Sequence, residues 1–361
     1  MRTQRVVIAG AGTAGHIEPA LVIGDWLREH YPEVQVTFIG TKEGIENRLV
    51  PQAGFELALI KKAAFPRHFN KALFTWKFRF AQSLMQAARI VKGSDLVVGF
   101  GGYVSASAYL AAKISKVPMV GHEANAKMGM ANKLAGFFGG TLLTTFVNGS
   151  YDVVGIPLRP SIVSLAKQSI QQRKESRTIA RKEFGLDPDK RTILVFGGSM
   201  GSVKFNSVIS EALRSILPQG IQVIHAVGQT NDLPDAQKGY APFSYIDDMA
   251  SAYAAADFVI SRSGAVTTIE TGVLGIYSLY VPLAIGNGEQ LFNAQSVSSQ
   301  GGGEIIENSA FTAENLVSRL DSLMKRAISR QESGESVEFP MDATYRIGLV
   351  IAKFLRRAGQ N

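Results

Sequence analysis

The sequence predicts an α/β protein of two doubly wound parallel-sheet domains, and three observations carry that reading. A strand, a glycine turn and a helix occur twice, short apolar strands alternate with helical stretches in both halves, and a polar, basic segment separates the halves. The first unit begins with Val6, Val7, Ile8 and Ala9, a continuous apolar run of the kind a parallel strand needs when it is buried on both faces. Gly10, Ala11, Gly12, Thr13, Ala14, Gly15 and His16 follow at once, and Pro19 is expected in the first turn of a helix with Ala20, Ile23 and Leu27 on one face. The second unit runs from Ile193 to Phe196, through Gly197, Gly198, Ser199, Met200 and Gly201, into a helix carrying Phe205, Val208, Ile209 and Ala212.

Further apolar strands at residues 34–39, 96–100, 222–227 and 258–261 alternate with helical stretches, so each half reads as Rossmann-like. Residues 161–182 are polar and basic and follow a turn signal at Gly155, Ile156, Pro157, Leu158, Arg159 and Pro160. The expected domains are therefore 1–157 and 158–341. Behind a possible Asp342 N-cap, Ile347, Val350, Ile351, Phe354 and Leu355 repeat at helical spacing, so residues 342–361 form an amphipathic helix that must bury a face on one of the halves.

Composition sets the outer limits. The 361 residues are 46% apolar and 19% charged, enough for two real cores. Nowhere do about 18 uninterrupted apolar residues occur, and the first apolar run is too short for a signal peptide. The chain has no cysteine, which excludes disulfides and thiolate chemistry, and the expected location is the cytoplasm. The net charge of +8 is concentrated. Between Glu56 and Asp95 there is no acidic residue, while Lys61, Lys62, Arg67, Lys71, Lys77, Arg79, Arg89 and Lys92 are basic.

Gly10, Gly12 and Gly15 match a dinucleotide fingerprint, in which glycines let the backbone approach a phosphate at a helix N-terminus. An NAD enzyme should carry an acidic residue roughly 20 residues on, at the end of the second strand, to bind the ribose. Here that strand ends in Phe38, Ile39, Gly40 and Thr41, which disfavours NAD and leaves a phosphate site or a plain tight turn. The second half offers a better nucleotide site. A strand ends in Ser261, Arg262, Ser263 and Gly264, a helix begins, and Glu270 lies about one and a half turns into it, where a carboxylate can grip ribose hydroxyls. The alternative for these residues is a capped helix with an ordinary glutamate.

Six motifs then occur in one order. They are residues 13–20 (Thr-Ala-Gly-His-Ile-Glu-Pro-Ala), 101–105 (Gly-Gly-Tyr-Val-Ser), His122-Glu123-Ala124-Asn125 with Asn132, 196–199 (Phe-Gly-Gly-Ser), 245–249 (Tyr-Ile-Asp-Asp-Met) and 262–265 (Arg-Ser-Gly-Ala). In order and spacing the chain resembles the MurG family of glycosyltransferases, from the first strand to at least Asn293. The resemblance implies the GT-B fold, two Rossmann-like domains facing a central cleft, with the C-terminal helix returning to the N-terminal domain. It implies inverting transfer of N-acetylglucosamine from UDP-N-acetylglucosamine to the muramic acid 4-hydroxyl of undecaprenyl-linked lipid I, giving lipid II, with no metal and no cofactor. It also implies a peripheral place on the cytoplasmic face of the cell membrane and membership of a cell-wall synthesis complex.

Carried over by position, the resemblance places Ile246 against uracil, Glu270 on the ribose, and Ser199, Arg262, Ser263, Ala265 and Val266 near the diphosphate. Gln290 and Asn293 lie near the sugar, and Thr13, Ala14, Gly15, Asn125 and Arg159 bind donor or organise the cleft. Tyr103, Asn132 and His16 face the acceptor. His16 is the expected general base, with a reference pKa of ~6.5 that suits the task; the alternative is a histidine that only hydrogen-bonds acceptor or loop. No metal set is legible, since the five histidines stand at 16, 30, 68, 122 and 225. The chain departs from many members at Ala11, Ala14, Met200, Ile156 and Glu289. Met200 and Glu289 replace amides near the expected donor.

Interleaved with the cations are Phe65, Phe69, Phe74, Trp76, Phe78 and Phe80. With Lys71, Lys77 and Arg79 they are expected to dock on an anionic membrane surface, although Trp76 and Phe80 read equally well as core. Nucleic acid, the other partner of basic and aromatic surfaces, is not expected, because no recognisable RNA or DNA module accompanies them. Three rival readings are a GT-B enzyme with another acceptor, a non-catalytic nucleotide-sugar sensor and an NAD dehydrogenase.

Overall fold

The computed structural model describes residues 3–63, 72–198, 200–283 and 287–359, and the side chains of residues 72–75 lie outside the description. The chain separates into two compact units, residues 1–159 with 340–361 and residues 160–339.

The first unit contains β1 (Arg5–Ala9), α1 (Ala14–His30), β2 (Gln35–Gly40), α2 (Glu46–Gln52), β3 (Glu56–Leu59), α3 (Ala72–Val91), β4 (Leu96–Gly99), α4 (Gly102–Ser115), β5 (Met119–Glu123), α5 (Met130–Phe137), β6 (Thr141–Thr144) and β7 (Asp152–Val153). Its strands are all parallel, in the order β3-β2-β1-β4-β5-β6-β7. In the second unit α6 (Pro160–Ala166), α7 (Ile170–Glu183), β8 (Thr192–Phe196), α8 (Val203–Ile216), β9 (Gln222–Ala226), β10 (Tyr240–Phe243), α9 (Met249–Ala255), β11 (Phe258–Ser261), α10 (Ala265–Val273), β12 (Ser278–Tyr280), α11 (Glu289–Ser298), β13 (Gly303–Ile305) and α12 (Ala313–Ser333) surround a parallel sheet ordered β10-β9-β8-β11-β12-β13. α13 (Ala343–Ala358) follows and belongs to the first unit. Strand order reverses beside β1 and again beside β8. Connections from the two neighbouring strands therefore leave on opposite faces, opening a crevice at their carboxyl ends.

The apolar runs form the central strands: β1 is buried from Val6 to Ala9, and every residue of β8 is buried. α13 settles where the last amphipathic helix goes. Ile347, Ile351 and Leu355 join Val6, Ile8, Trp26 and Leu27 in the first unit's core, each burial being worth roughly 1.5–3 kcal/mol. Gly348 sits so close to Trp26 that a Cβ would lie 2.5 Å from the indole, and the returning chain crosses Gly155, where a Cβ would lie 2.8 Å from the Pro340 carbonyl.

Two local expectations are corrected. α1 begins at Ala14, so Pro19 lies inside the helix and not in its first turn; the Gly15 carbonyl consequently lacks the N–H it would have received from residue 19. Asp342 is the N-cap of α13 but its carboxylate accepts from Arg346 Nε at 2.8 Å and makes no capping bond. The polar segment 161–182 carries most of α6 and α7, and α7 opens with a Ser169–Gln172 capping box. From it, Arg181 reaches into the second unit, pairing with Asp257 at 2.6 Å and donating to the carbonyls of Ala255 and Pro188, while Asp257 also accepts the Thr192 N–H at 2.7 Å. Arg181 thus ties α7 to the start of β8 and the end of α9.

His225, on β9, is buried, which pushes its pKa from 6.5 down to about 4. The Tyr240 hydroxyl, kept protonated by burial, lies 3.0 Å from its Nδ1. Because the folded imidazole resists protonation, the unfolded chain binds the proton first. The stability this confers is complete above pH 6.5 and is lost as pH falls toward 4, by about 3 kcal/mol in all. Denaturant unfolding at pH 7 and pH 4.5 should show this loss in the wild type and a smaller one in His225→Gln; equal losses would exclude His225 as the source.

Candidate active site

In the first unit the crevice is closed at its base by the Ala9 carbonyl, which accepts the Phe100 N–H at 2.8 Å and the Ser105 hydroxyl at 2.8 Å. This pulls the loops after β1 and β4 together. Both turn through conformations that favour glycine: Gly12 at φ 94°, Gly101 at φ 93° and Gly102 at φ 79°. His16 stands in the first turn of α1, its Nδ1 3.2 Å from the Ala11 carbonyl and 3.2 Å from the Thr13 hydroxyl. With Nδ1 as donor to that carbonyl, Nε2 is the basic nitrogen. Nε2 faces the Gly101 turn, where a Cβ would come within 3.3 Å of it.

Around this histidine the predicted residues divide. Tyr103 is half-buried, its hydroxyl 3.1 Å from Thr41 Oγ1, and burial raises its pKa. Asn132 is buried: its amide donates to the His122 carbonyl at 3.0 Å and to Glu123 at 2.8 Å, and its oxygen accepts from the Tyr109 hydroxyl at 3.0 Å. Glu123 also accepts the Asn125 N–H and amide and the Gly129 N–H. Asn132 and Asn125 are thus held by one buried carboxylate. His122 bonds the Gly155 carbonyl at 2.7 Å, and burial lowers its pKa. Arg159 stands 4.0 Å from Glu18 of α1. Thr13 is the N-cap of α1, and Ala14 and Gly15 open its first turn.

In the second unit the corresponding crevice lies beside β8 and β11. Gly198, at φ 97°, and Gly201, at φ 73°, bracket the loop that contains Ser199, which falls outside the described residues, and Met200, which is exposed. Ser263 is fully buried and its hydroxyl has no hydrogen-bond partner among the described residues. It precedes the Gly264 N-cap of α10, where Ala265 and Val266 begin the first turn; N–H groups there have no intrahelical acceptor. Glu270 is buried further along α10 and accepts from the Tyr253 hydroxyl at 3.0 Å, which aims its carboxylate. Asn293, buried on α11, donates to the Ser263 carbonyl at 3.2 Å, and Gln290 accepts the Leu283 N–H at 2.9 Å. Ile246 is buried in the loop after β10.

Arg262 behaves differently from a free phosphate ligand. It donates to the Val281 carbonyl at 2.9 Å and to Asn308 at 2.8 Å and stacks over Phe205 at 4.8 Å, and burial lowers its pKa. Its guanidinium braces the loops after β11 and β12.

Sequence reasoning missed Glu46, Thr41, Tyr109, Tyr253 and Asn308. Glu46 is fully buried, and its carboxylate accepts the Gly12 N–H at 3.1 Å, the Thr41 N–H at 2.9 Å and the Thr41 hydroxyl at 3.1 Å. A glutamate at a helix start ordinarily signals an exposed first turn; only the glycines at 40 and 44, which leave room for it, hinted otherwise.

On α3, Lys77, Phe78 and Arg79 are exposed, Phe78 by 76%. Trp76 and Phe80 stack at 5.2 Å, and the Trp76 indole donates to the Ala63 carbonyl at 3.1 Å. Phe65, Phe69 and Lys71 lie outside the described residues, as does the Phe74 side chain. No helix among the described residues is long and apolar enough to cross a membrane.

Two parallel-sheet units, each with a glycine-turn crevice at its switch point, are the domain architecture of the GT-B glycosyltransferases. Residues 6–141 match the glycosyltransferase family 28 N-terminal domain and residues 192–343 its C-terminal domain. A crystal structure of Acinetobacter baumannii MurG superposes with a TM-score of 0.70 at 26% identity, covering 97% of this chain and 99% of that one. The calicheamicin glycosyltransferase CalG4, at 14% identity and a TM-score of 0.66 over 99% and 100% of the two chains, shares the fold. The UDP-N-acetylglucosamine--N-acetylmuramyl-(pentapeptide) pyrophosphoryl-undecaprenol N-acetylglucosamine transferase of Corynebacterium diphtheriae is 44% identical over 92% of this chain and 90% of its own. The enzyme of that name from Streptomyces coelicolor is 44% identical over 86% of each. The chain belongs to the MurG family of glycosyltransferases.

The Gly101 turn gives a test of this geometry. Gly101→Ala should cost about 1–3 kcal/mol of stability, because φ 93° with ψ −176° is a conformation essentially confined to glycine, and its methyl should crowd the His16 ring. Thermal unfolding of this variant and of Gly139→Ala, whose φ of 82° is strained but whose Cβ would meet nothing within 4 Å, separates backbone strain from crowding.

Proposed function

We propose that this chain transfers N-acetylglucosamine, with inversion, from UDP-N-acetylglucosamine to the muramic acid 4-hydroxyl of undecaprenyl-linked lipid I, yielding lipid II and UDP. The observation that carries the reading is His16, fixed through Nδ1 by the Ala11 carbonyl so that Nε2 is its basic nitrogen. In this reading the acceptor oxygen attacks the sugar C1 on the face opposite UDP and its proton passes to Nε2. The C1–O bond breaks, its electron pair goes to the diphosphate, and the anomeric carbon inverts. The charge that grows on UDP meets the N-terminal turns of α8 and α10, including the buried Ser263 hydroxyl, where helix dipoles favour an anion. Glu270, aimed by Tyr253, takes the ribose; Ile246 flanks the uracil; Ser199, Ala265 and Val266 line the diphosphate; Gln290 and Asn293 lie near the sugar. Asn132, Asn125 and Arg262 act by holding loops.

Exposed Lys77, Phe78 and Arg79 support peripheral docking on an anionic cytoplasmic membrane surface, where a lipid-linked acceptor resides.

Incubation with radiolabelled UDP-N-acetylglucosamine and a lipid I analogue should give labelled lipid, and its absence would overturn the transfer reading. His16→Ala should lower kcat by about 10²–10⁴-fold with UDP affinity retained; near-normal turnover would remove the base. Charge reversal at Lys71, Lys77 and Arg79 together should weaken sedimentation with anionic liposomes and spare turnover of a soluble acceptor analogue. Unchanged liposome binding would exclude the docking surface.

A further inference from the structure

We infer that Glu46 is a positioning residue for His16, acting through a single peptide group. The reading rests on the transfer reaction proposed above. The peptide between Ala11 and Gly12 is shared by two side chains. Its N–H, on Gly12, donates to Glu46 Oε2 at 3.1 Å, and its C=O, on Ala11, lies 3.2 Å from His16 Nδ1. In a trans peptide these two groups point in opposite directions across one rigid plane. Glu46 therefore sets the orientation of the carbonyl that selects the His16 tautomer, and its charge polarises that carbonyl as an acceptor.

The molecule is built to hold the carboxylate there. Glu46 is fully buried, and its other oxygen accepts both the N–H and the hydroxyl of Thr41. A Cβ on Gly44 would lie about 2 Å from the carboxylate, and one on Gly40 would lie 2.5 Å from Glu46 Cγ. Both glycines are thus spaces left for this side chain. Gly12 itself adopts φ 94°, which lets its N–H turn inward to Oε2. The same Thr41 hydroxyl reaches Tyr103 at 3.1 Å, so one buried acid secures residues on either side of His16.

The requirement is for a carboxylate and not merely for volume. Oε1 and Oε2 each face a backbone N–H. A glutamine in the same place satisfies one of them and turns its NH₂ on the other, a donor against a donor. Burying an acid is costly and is offset here by three hydrogen bonds, whereas an apolar side chain would fill the space without that cost.

The test compares wild type, Glu46→Gln and Glu46→Asp by two independent readouts. Nitrogen-15 NMR of the histidine ring reports the tautomer, and steady-state kinetics with UDP-N-acetylglucosamine and a lipid I analogue report kcat, with UDP affinity as the control on the second unit. In the wild type His16 should be protonated on Nδ1. Glu46→Gln should mix the tautomers and lower kcat by about tenfold or more with UDP affinity unchanged, and Glu46→Asp should recover part of the loss because both its oxygens still accept. A kcat loss with the tautomer retained, or a changed tautomer with kcat within about twofold, would overturn the inference. If Glu46→Gln does not fold, Glu46→Asp decides alone, because its carboxylate, shorter by one methylene, accepts from Thr41 and Gly12 only at lengthened distances and should lower kcat and disturb the tautomer in part: wild-type tautomer and kcat would overturn the inference. If the wild type forms no lipid product, the transfer reading fails, and the inference falls with it only if the ring spectrum of His16 is the same in all three proteins.

Discussion

The reversal of strand order beside β1 and beside β8 is the constraint on which both sites depend. Two neighbouring parallel strands whose connections leave in opposite directions expose their carboxyl ends, and only loops that turn very tightly can line the gap. In the first unit the Ala9 carbonyl closes that gap by taking donors from Phe100 and Ser105. Gly12, Gly101 and Gly102 then supply the turns that a side chain would forbid, and His16 is delivered to the rim by the first turn of α1.

Buried acids do much of the remaining work. Glu46 holds two loops by their N–H groups; Glu123 holds Asn125, Gly129 and Asn132; Glu270 is aimed by a tyrosine. Carboxylates suit this task because each oxygen accepts more than one hydrogen bond, so one side chain can fix two backbone segments at once. Arg262 is the cationic counterpart, donating to a carbonyl and an amide while stacked on Phe205. Asp257 forms an ion pair with Arg181, and there the pair anchors α7 at the amino end of β8, opposite the crevice of the second unit.

The two glycine turns, the central strands and the face of α13 could be read from the chain because their signals are local: a run of apolar residues, a glycine cluster, a repeat at helical spacing. Pro19 shows where local signals mislead. It reads as a first-turn residue, yet α1 starts five residues earlier, since Thr13 through Ile17 already close a turn onto the glycine loop. Glu46 and Arg181 were illegible for a related reason. A charged residue on a helix reads as solvent-facing unless something distant covers it, and what covers these two lies far along the chain, at Gly12 and at Asp257.

By itself the sequence determined the α/β class, the doubling of the strand, glycine turn and helix, and the residues that sit in the glycine turns, because backbone conformation and strand burial follow from neighbours along the chain. Tertiary structure decided which unit receives α13, since that choice depends on Gly348 meeting Trp26 across more than three hundred residues. It also decided which partners hold polar side chains such as Asn132 and Arg262, because hydrogen-bond partners are assigned only when distant segments meet.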